Sequence, residues 1–575
     1  MSVLINENVV RRLTKRTILA IRLAGSVFRL SDRAVQRVAD EEIGSQASKS
    51  EWASADDKDT KNLNFKTSTI HIKPFTIVGP NRGFWDVIIG WICHCAGIEN
   101  QLLSYRFEKK LAMIPKKTTT LTWSLIGALV SVLAIGPVKA DQLAFVGVNV
   151  IPMGGDRMLS DYTVIVEEDR IVALGPRAST LPTVDATVIE GKGKYLIPGL
   201  ADMHIHLLDQ TFMAALLKKD KPIQPFENML YLYLANGVTT VRVMAGFPEL
   251  LELRDAIERG DVLGPRLIVT TPMFDGEKTI WPAPLSRPIP TAEIARKAVQ
   301  ESKEDGYDMI KVYTLLGREA YDAVIDEAKK VNLKVVGHVP IMVGQEHVLK
   351  SGQDEITHME EYWRFTRDYG DDVVEKFTAM TTKAGVWFSP TLTTYQDQMS
   401  DGKVVMNRPE NRYLDPLILD FWSSRIPPAS NNEKAKSLRA QQIEDLGGFM
   451  LRLVKSMYDA GVPLMTGTDA LNPMAVPGFS MHRELALFKK AGIPNYQSLR
   501  AATARPAEFM EETDEWGTVS NGHRADLVLL SANPLEDINN TKRIEGVMVR
   551  GKWLARNAIQ QRLDQFAEEY AQLSR

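Results

Sequence analysis

Two histidines separated by one residue, His204 and His206, have the spacing of a metal-binding pair. They end the segment 197–206 (IPGLADMHIH), in which a Pro-Gly break precedes a short strand-like stretch. Side chains alternate along a β-strand, so both imidazoles project to the same face of this predicted strand. Two neutral imidazoles on one face can bind a divalent metal ion. An isolated pair is as often incidental, so the interpretation depends on ligands from other strands.

Further predicted strands supply such ligands at their ends, namely Lys311, His338, His358 and Asp469. Lys311 is the most informative of these residues, because it lies inside the apolar run 309–313 (MIKVY) and lysine is rarely buried unpaired. A desolvated lysine has a lowered pKa and can react with carbon dioxide. The product is a carbamate, an anionic ligand able to bridge two metal ions. The alternative is a lysine whose ammonium group only emerges at the mouth of the strand.

The predicted strands alternate with amphipathic helical stretches, a pattern typical of a parallel α/β architecture. Eight strands with intervening helices fit a (β/α)8 barrel of the TIM type, whose active site lies at the carboxyl ends of the strands. Short strands on either side predict a small β-sandwich built from both ends of the mature chain. The long, charged segment 397–446, between the seventh and eighth strands, predicts a lid. The predicted divisions are an atypical N-terminal arm at 1–112, a signal peptide or anchor at 113–140, the first part of the β-sandwich at 141–196, the barrel at 197–510, the second part of the β-sandwich at 511–557 and a C-terminal helix at 558–575.

Composition narrows the classes of protein. A chain of 575 residues is long for one ordinary core, but it accommodates a barrel with an accessory domain. With 44% hydrophobic and 25% charged residues the chain is expected to fold, and its net charge of -3 argues against a dedicated nucleic-acid-binding protein. Both cysteines, Cys93 and Cys95, lie in the N-terminal arm. The barrel must therefore bind metal through His, Asp, Glu or Lys-derived ligands.

Residues 113–140 have the three parts of a secretory signal peptide. A basic start at 113–117 (MIPKK) precedes an apolar core at 121–136, and a small-x-small site follows at 138–140 (VKA). Because the apolar core is short for a bilayer span, which needs about 20 residues, we favour cleavage over anchoring. The favoured interpretation places the true start at Met113 and the mature start at Asp141. It predicts a periplasmic or secreted protein with no stable membrane contact after cleavage.

Several motifs together resemble those of the amidohydrolase superfamily, and within it the imidazolonepropionase-like and Xaa-Pro-dipeptidase-like group. The motifs are 197–206 (IPGLADMHIH), 236–242 (NGVTTVR), 467–470 (GTDA), 501–507 (AATARPA) and 525–534 (ADLVLLSANP). The resemblance covers about residues 142–557 and is specific for the superfamily, but not for a substrate. Lys311 argues against imidazolonepropionase activity, because that mononuclear enzyme lacks the corresponding lysine ligand. The segment 338–341 (HVPI) and Val243 after Arg242 depart from the group's usual pattern and leave the substrate open.

The resemblance implies a site with two divalent metal ions, expected to be Zn²⁺. It implies that one ion is held by His204, His206 and Asp469, the other by His338 and His358, and that both are bridged by a hydroxide and by Lys311 in its N6-carboxylated form. Asp469 would accept the proton of the attacking hydroxide and pass it to the leaving group.

The expected activity is hydrolysis of a carbon–nitrogen (amide) bond in a small substrate, such as a dipeptide or an N-acyl amino acid. A lactone, ester or phosphotriester hydrolase using the same site is an alternative, because the same hydroxide attacks any activated electrophile. A catalytically silent binding protein on this scaffold is a further alternative. The sequence leaves open whether the enzyme is a homo-oligomer.

Arg242, Tyr313 and His482 are the residues expected to contact the substrate. An arginine can grip a carboxylate through two parallel hydrogen bonds, and aromatic walls favour an apolar side chain. The alternative is that Arg242 pairs with a carboxylate inside the barrel and that the aromatic residues only pack. The aromatic residues considered for these walls are Trp281, Tyr313, Trp363, Phe388 and Tyr395.

Overall fold

The computed structural model describes residues 142–155, 158–208, 226–426 and 433–573. The predicted N-terminal arm and the predicted signal segment therefore lie outside the described residues. Within the described ranges, no helix combines the length and apolar character needed to cross a bilayer.

Strands and helices alternate through the central part of the described ranges, between groups of strands near the two ends. The strands are β1 (Gln142–Val150), β2 (Leu159–Glu167), β3 (Arg170–Pro176), β4 (Thr187–Glu190), β5 (Tyr195–Pro198), β6 (Leu200–Ile205), β7 (Val238–Val243), β8 (Arg266–Val269), β9 (Met273–Asp275), β10 (Ser286–Pro288), β11 (Met309–Val312), β12 (Lys334–Gly337), β13 (Glu355–Thr357), β14 (Trp387–Ser389), β15 (Leu527–Leu530), β16 (Ile544–Val549) and β17 (Lys552–Ala555). The helices are α1 (Phe226–Ala235), α2 (Pro248–Arg259), α3 (Ala292–Asp305), α4 (Arg318–Lys330), α5 (Gln345–Ser351), α6 (Glu360–Trp363), α7 (Asp371–Ala384), α8 (Leu392–Met399), α9 (Gly402–Met406), α10 (Pro416–Arg425), α11 (Glu433–Asp459), α12 (Phe479–Lys490), α13 (Asn495–Ala501), α14 (Ala504–Met510) and α15 (Arg556–Leu573), with 3-10 turns at Pro409–Tyr413 and Ile538–Lys542.

An eight-stranded sheet joins the two ends of the described chain. Its strand order is β17-β16-β15-β5-β1-β2-β3, and β4 pairs with β1. The connection between the two ends is β5, which pairs in parallel with β1 and antiparallel with β15. Strands from both ends of the predicted mature chain thus share one sheet, while the two-layered sandwich predicted for them stays a prediction.

The parallel strands between these two parts form an α/β, TIM-barrel-like domain. One parallel ladder contains β6, β7 and β8, and a second has the order β10-β9-β11-β12-β13-β14. Single bridges connect the ladder edges and the segment 464–470, and they join Thr270 to Met309, Phe388 to Leu464 and Ala470 to Ile205. The predicted eighth strand is present only through these bridges, so a closed barrel of eight regular strands stays a prediction.

Local sequence explains how the helices and strands of this domain are bounded. Thr291 caps α3 by accepting a hydrogen bond from the Ile294 backbone N–H, and Gly306 ends the helix in the left-handed conformation. Along α3 the buried positions recur at helical spacing, as at Ala295 and Val299. In contrast, β11 is buried along its whole length, because a parallel strand of this architecture is covered on both faces.

The segment predicted as a lid is mostly helical where it is described. Asp397, at its start, is buried and lies 2.6 Å from Arg408 and 3.4 Å from Arg483. On α10, Phe421 and Trp422 are buried in the core that also contains residues of β6 and β7. These contacts hold the segment against the barrel, and a lid movement stays a prediction.

Candidate active site

A cavity of about 230 Å³ lies where several parallel strands end. Its lining includes all six side chains predicted as metal ligands, which are His204, His206, Lys311, His338, His358 and Asp469. The strands β6, β11, β12 and β13 carry or immediately precede five of them. The sixth, Asp469, lies in the bridging segment 464–470.

The centre of this group is fully buried His204. Its Nε2 lies 3.4 Å from Asp469 Oδ1, and His206 Nε2 lies 3.0 Å from the same oxygen. The ring of His358 lies 4.4 Å from that of His204, centroid to centroid. One potential ligand atom from each of His204, His358 and Asp469 falls within 4.8 Å of the other two.

His204 also provides a test of whether these residues fit a metal ion. Neither of its ring nitrogens forms a hydrogen bond with any described residue, although both are buried. A buried polar group without a partner costs about 1–3 kcal/mol, and buried polar atoms are nearly always satisfied. A metal ion would satisfy one nitrogen of this ring, and the donor set fits such an ion.

Asp202, which the sequence analysis did not select, holds the bridging segment against β6. Its carboxylate accepts hydrogen bonds from the Thr468 backbone N–H at 2.9 Å and from the Thr468 hydroxyl at 2.6 Å. Burial raises the pKa of Asp202 to about 7. Gly467 permits the close approach, since a Cβ there would lie 2.8 Å from the Cβ of His204. The aspartate preceding the histidine pair was the available signal for this role.

The two histidines that follow β12 and β13 are oriented through their Nδ1 atoms. His338 Nδ1 lies 3.1 Å from Thr314 Oγ1 and 2.8 Å from Glu361 Oε1. His358 Nδ1 lies 2.8 Å from Thr391 Oγ1. Partners at Nδ1 leave Nε2 of each ring as the natural ligand atom, the arrangement commonly seen around metal-binding histidines.

Burial sets the protonation state of the group. It lowers the pKa of Lys311 to about 7 and that of His358 to about 3, and it lowers the pKa values of His204 and His338 well below the ordinary value. Neutral imidazoles are the metal-binding form. Lys311 Nζ donates a hydrogen bond to Thr357 Oγ1 at 3.4 Å. A neutral amine is the form that reacts with carbon dioxide.

Asp469 has the opposite balance of effects. Burial alone would raise its pKa, but His358, His206 and the hydrogen bond from Asn472 outweigh burial, and the pKa falls below its ordinary value. The ionised form of the carboxylate is therefore favoured.

Arg242 does not lie at the cavity, which corrects the expectation that it grips a substrate carboxylate. Its side chain is completely buried, and its Nη2 lies 2.5 Å from Glu355 Oε2. Its Nε donates a hydrogen bond to the Met203 carbonyl at 2.7 Å. Arg242 therefore pairs with a carboxylate inside the barrel, which is the alternative that the sequence left open. Glu355, a carboxylate at the start of an apolar strand, was the signal for this pairing.

The other two predicted substrate residues occupy different environments. Tyr313 lines the cavity, with its hydroxyl accepting a hydrogen bond from Trp281 Nε1 at 3.1 Å. His482 is buried but is not one of the described residues that line the cavity. Its Nδ1 lies 3.0 Å from Thr541 Oγ1. Burial lowers the pKa of His482 to about 3, which favours the neutral imidazole.

Two of the remaining aromatic side chains, Trp281 and Tyr395, line the cavity. Trp363 packs edge-on against Tyr395 at 4.4 Å between ring centroids, outside the lining. Phe388 is buried in the core between the strands and helices. Three of the five predicted aromatic side chains therefore line the cavity, and Phe421 of α10, which was not predicted there, lines it as well.

The α/β, TIM-barrel-like domain thus places a buried polar cavity at the ends of its parallel strands. Residues 195–554 match the model of the Amidohydrolase family, and the chain belongs to this family. The predicted membership of the amidohydrolase superfamily is confirmed.

Individual relatives are distant in sequence. Ochratoxinase of Aspergillus niger is 22% identical in an alignment 436 positions long that covers 68% of this chain and 81% of that protein. Its crystal structure has a TM-score of 0.52. A Xaa-Pro dipeptidase with bound methionine in its active site has a TM-score of 0.54 at 20% identity, covering 72% of this chain and 100% of that one. Bottromycin amidohydrolase has a TM-score of 0.58 at 22% identity, covering 77% and 93%. These solved structures share the fold.

Proposed function

We propose that this protein is a metal-dependent hydrolase that cleaves the amide bond of a small substrate, such as a dipeptide or an N-acyl amino acid. The observation that carries the proposal is the buried group of His204, His358 and Asp469, in which His204 has no hydrogen-bond partner from the described chain. The names of the relatives, a dipeptidase and an amidohydrolase, support carbon–nitrogen bonds as the target.

The proposed cofactors are two divalent metal ions, expected to be Zn²⁺, and the proposed ligands are His204, His206, Lys311, His338, His358 and Asp469. Such ions, when bound, lower the pKa of a water molecule and polarise the scissile carbonyl. The neutral nitrogen of Lys311 would form a bond to the carbon of carbon dioxide and release one proton, which gives the carboxylated side chain. Asp469, which lines the cavity and favours its ionised form, would accept a proton and deliver it to the leaving nitrogen.

The decisive experiment measures metal content and turnover on the purified full-length chain. We expect close to two divalent metal ions per chain, together with hydrolysis of some members of a panel of dipeptides and N-acyl amino acids. Turnover of lactones, esters or phosphotriesters without amide hydrolysis would overturn the amide assignment. Bound metal with no turnover of any substrate would favour the silent binding protein.

We also propose that the protein is exported and that its mature form begins at Asp141. The support is the basic, apolar and small-x-small pattern of residues 113–140. N-terminal sequencing of the exported protein should begin at Asp141. Recovery of residues that precede Met113 on mature protein would refute this proposal.

A further inference from the structure

Glu360 lines the same cavity but does not belong to the proposed ligand set. It begins α6, two residues after His358, and its side chain is 30% exposed. Its Oε2 accepts a hydrogen bond from the Tyr395 hydroxyl at 3.1 Å, and its Oε1 pairs with Arg364. Arg364 itself does not line the cavity in the described chain. Two partners therefore hold a partly open carboxylate at the cavity wall.

Few charged side chains line the described part of the cavity, and Glu360 is one of them. Among the described lining residues, the charged side-chain types other than histidine are Lys311, Asp469 and Glu360, and no arginine is present. Lys311 and Asp469 are assigned to the metal group. Glu360 is then the remaining charged side chain among the described lining residues, and its partner Arg364 does not belong to that lining.

The position of Glu360 limits which cation it can meet. One of its carboxylate oxygens falls within 4.8 Å of a ring nitrogen of His338, so the carboxylate lies beside the proposed reaction centre. In a dipeptide, the α-amino nitrogen is two bonds from the scissile carbonyl carbon. A cation on a long side chain would lie farther away.

We propose that Glu360 binds the free α-ammonium group of a dipeptide substrate. This inference rests on the proposed amide hydrolysis and chooses between its two substrate classes, because an N-acyl amino acid has no cation next to the scissile bond. The ammonium would donate a charge-assisted hydrogen bond to the carboxylate within the cavity. Tyr395 and Arg364 position the carboxylate for this contact.

The test compares Glu360→Gln with the wild-type, metal-loaded, full-length enzyme on one dipeptide and on its N-acetyl derivative. We expect kcat/KM for the free dipeptide to fall about 10- to 100-fold, the range for a hydrogen bond to a charged group. The N-acetyl derivative should lose nothing, and the metal content should be unchanged. Tyr395→Phe should produce a smaller loss of the same kind. Glu346→Gln, which removes the same charge from exposed helix α5, should alter neither rate.

Equal losses on both substrates, or loss of metal from Glu360→Gln, would overturn the inference, because Glu360 would then act on the metal group. Hydrolysis of N-acyl amino acids alone by the wild-type enzyme would also overturn it while leaving the proposed function intact. Failure of the wild-type enzyme on every amide would instead remove the proposed function itself.

Discussion

Two sets of buried polar side chains in the same parallel α/β domain have different surroundings. In the cavity set (His204, Lys311, His358 and Asp469), the ring nitrogens of His204 lack hydrogen-bond partners in the described part of the chain. In the ion pair of Arg242 and Glu355, the charges lie 2.5 Å apart. Both sets are almost completely excluded from solvent. Exposure therefore does not distinguish them. Arg242 and Glu355 neutralise each other inside the fold, whereas the cavity set lines a cavity of about 230 Å³.

This difference indicates which set is built for a ligand. Burial lowers the pKa of Lys311 and of the histidines, so the cavity set holds neutral bases with free lone pairs. The guanidinium of Arg242 stays a cation, because arginine is not deprotonated in proteins. Its burial is compensated by Glu355 from within the fold. Bases with perturbed pKa values that line a cavity are candidates for a functional site, whereas a buried ion pair away from the described cavity lining is structural.

The largest effect is expected for Lys311→Ala in the cavity set. Activity should fall by more than about 100-fold, beyond the range typical of residues that only orient metal ligands. The metal content should fall with it, because the carbamate is lost. A short carboxylic acid added to the buffer should restore part of both by taking the place of the carbamate. Initial rates and elemental analysis measure the two effects. One metal ion at full activity, with Lys311→Ala unimpaired, would refute the two-metal arrangement.

Arg242→Met should damage stability and leave the substrate preference unchanged. Removing one partner of a buried ion pair costs about 3–5 kcal/mol, because Glu355 is left charged and unpaired. Denaturant unfolding of the full-length protein measures this loss. The double variant with Glu355→Leu should recover much of it, since no buried charge then remains. A selective loss of activity on carboxylate substrates would instead return Arg242 to the substrate site.

The two sets also differ in how well the sequence predicts them. His204 and His206 share a face because a strand alternates its side chains, and strand ends of a parallel sheet converge on one side. These rules bring the cavity set together without knowledge of any contact. No such rule predicts the partner of the Arg242 side chain, because that partner is Glu355, which lies more than one hundred positions away in the chain.

Dependence on partners that are distant in the chain also explains why two carboxylates near the cavity were not predicted from the sequence. Glu360 and Glu361 lie just after β13, but their roles depend on Tyr395 and His338, which other elements deliver. The eighth strand was expected as a regular element, whereas the segment 464–470 is held by single bridges and by Asp202. Strand existence follows from local pattern, and the pairing of loops follows from tertiary contacts.

The variant Glu361→Gln tests a buried carboxylate that pairs inside the fold, as Glu355 does, but whose partner is the cavity residue His338. Its Oε1 lies 2.8 Å from His338 Nδ1, so its loss should loosen the orientation of that ring. Metal affinity should fall about 10-fold, at the low end of the range for such partners, because Thr314 still contacts the same nitrogen. Competition with a chelator measures the affinity. An unchanged affinity would show that Thr314 alone orients His338.

The smallest effect is expected for Glu484, a buried carboxylate whose described hydrogen bonds come from backbone. It accepts from the Leu392 N–H at 3.0 Å and from the Thr393 N–H at 2.7 Å, at the start of α8. Burial raises its pKa to about 8 from an ordinary value of 4.5, although these hydrogen bonds oppose the shift. The folded state then keeps a proton that the unfolded state releases. The stabilisation linked to this proton is complete below about pH 4.5 and is lost as the pH rises to about 8.

Glu484→Gln removes this titration, so the variant should gain stability relative to the wild-type protein across that window of pH. Unfolding midpoints of both proteins, measured at several pH values between about 5 and 8, give the comparison. A constant difference between the two would mean that the backbone N–H groups keep Glu484 ionised when folded. The outcome also concerns the cavity, because Glu484 anchors the start of α8, and Tyr395 of this helix lines the cavity. Thr394 of the same helix donates a hydrogen bond to the Thr468 carbonyl at 2.7 Å. A protonated Glu484 would make the start of α8 a neutral, backbone-anchored support, unlike the charge-paired Arg242.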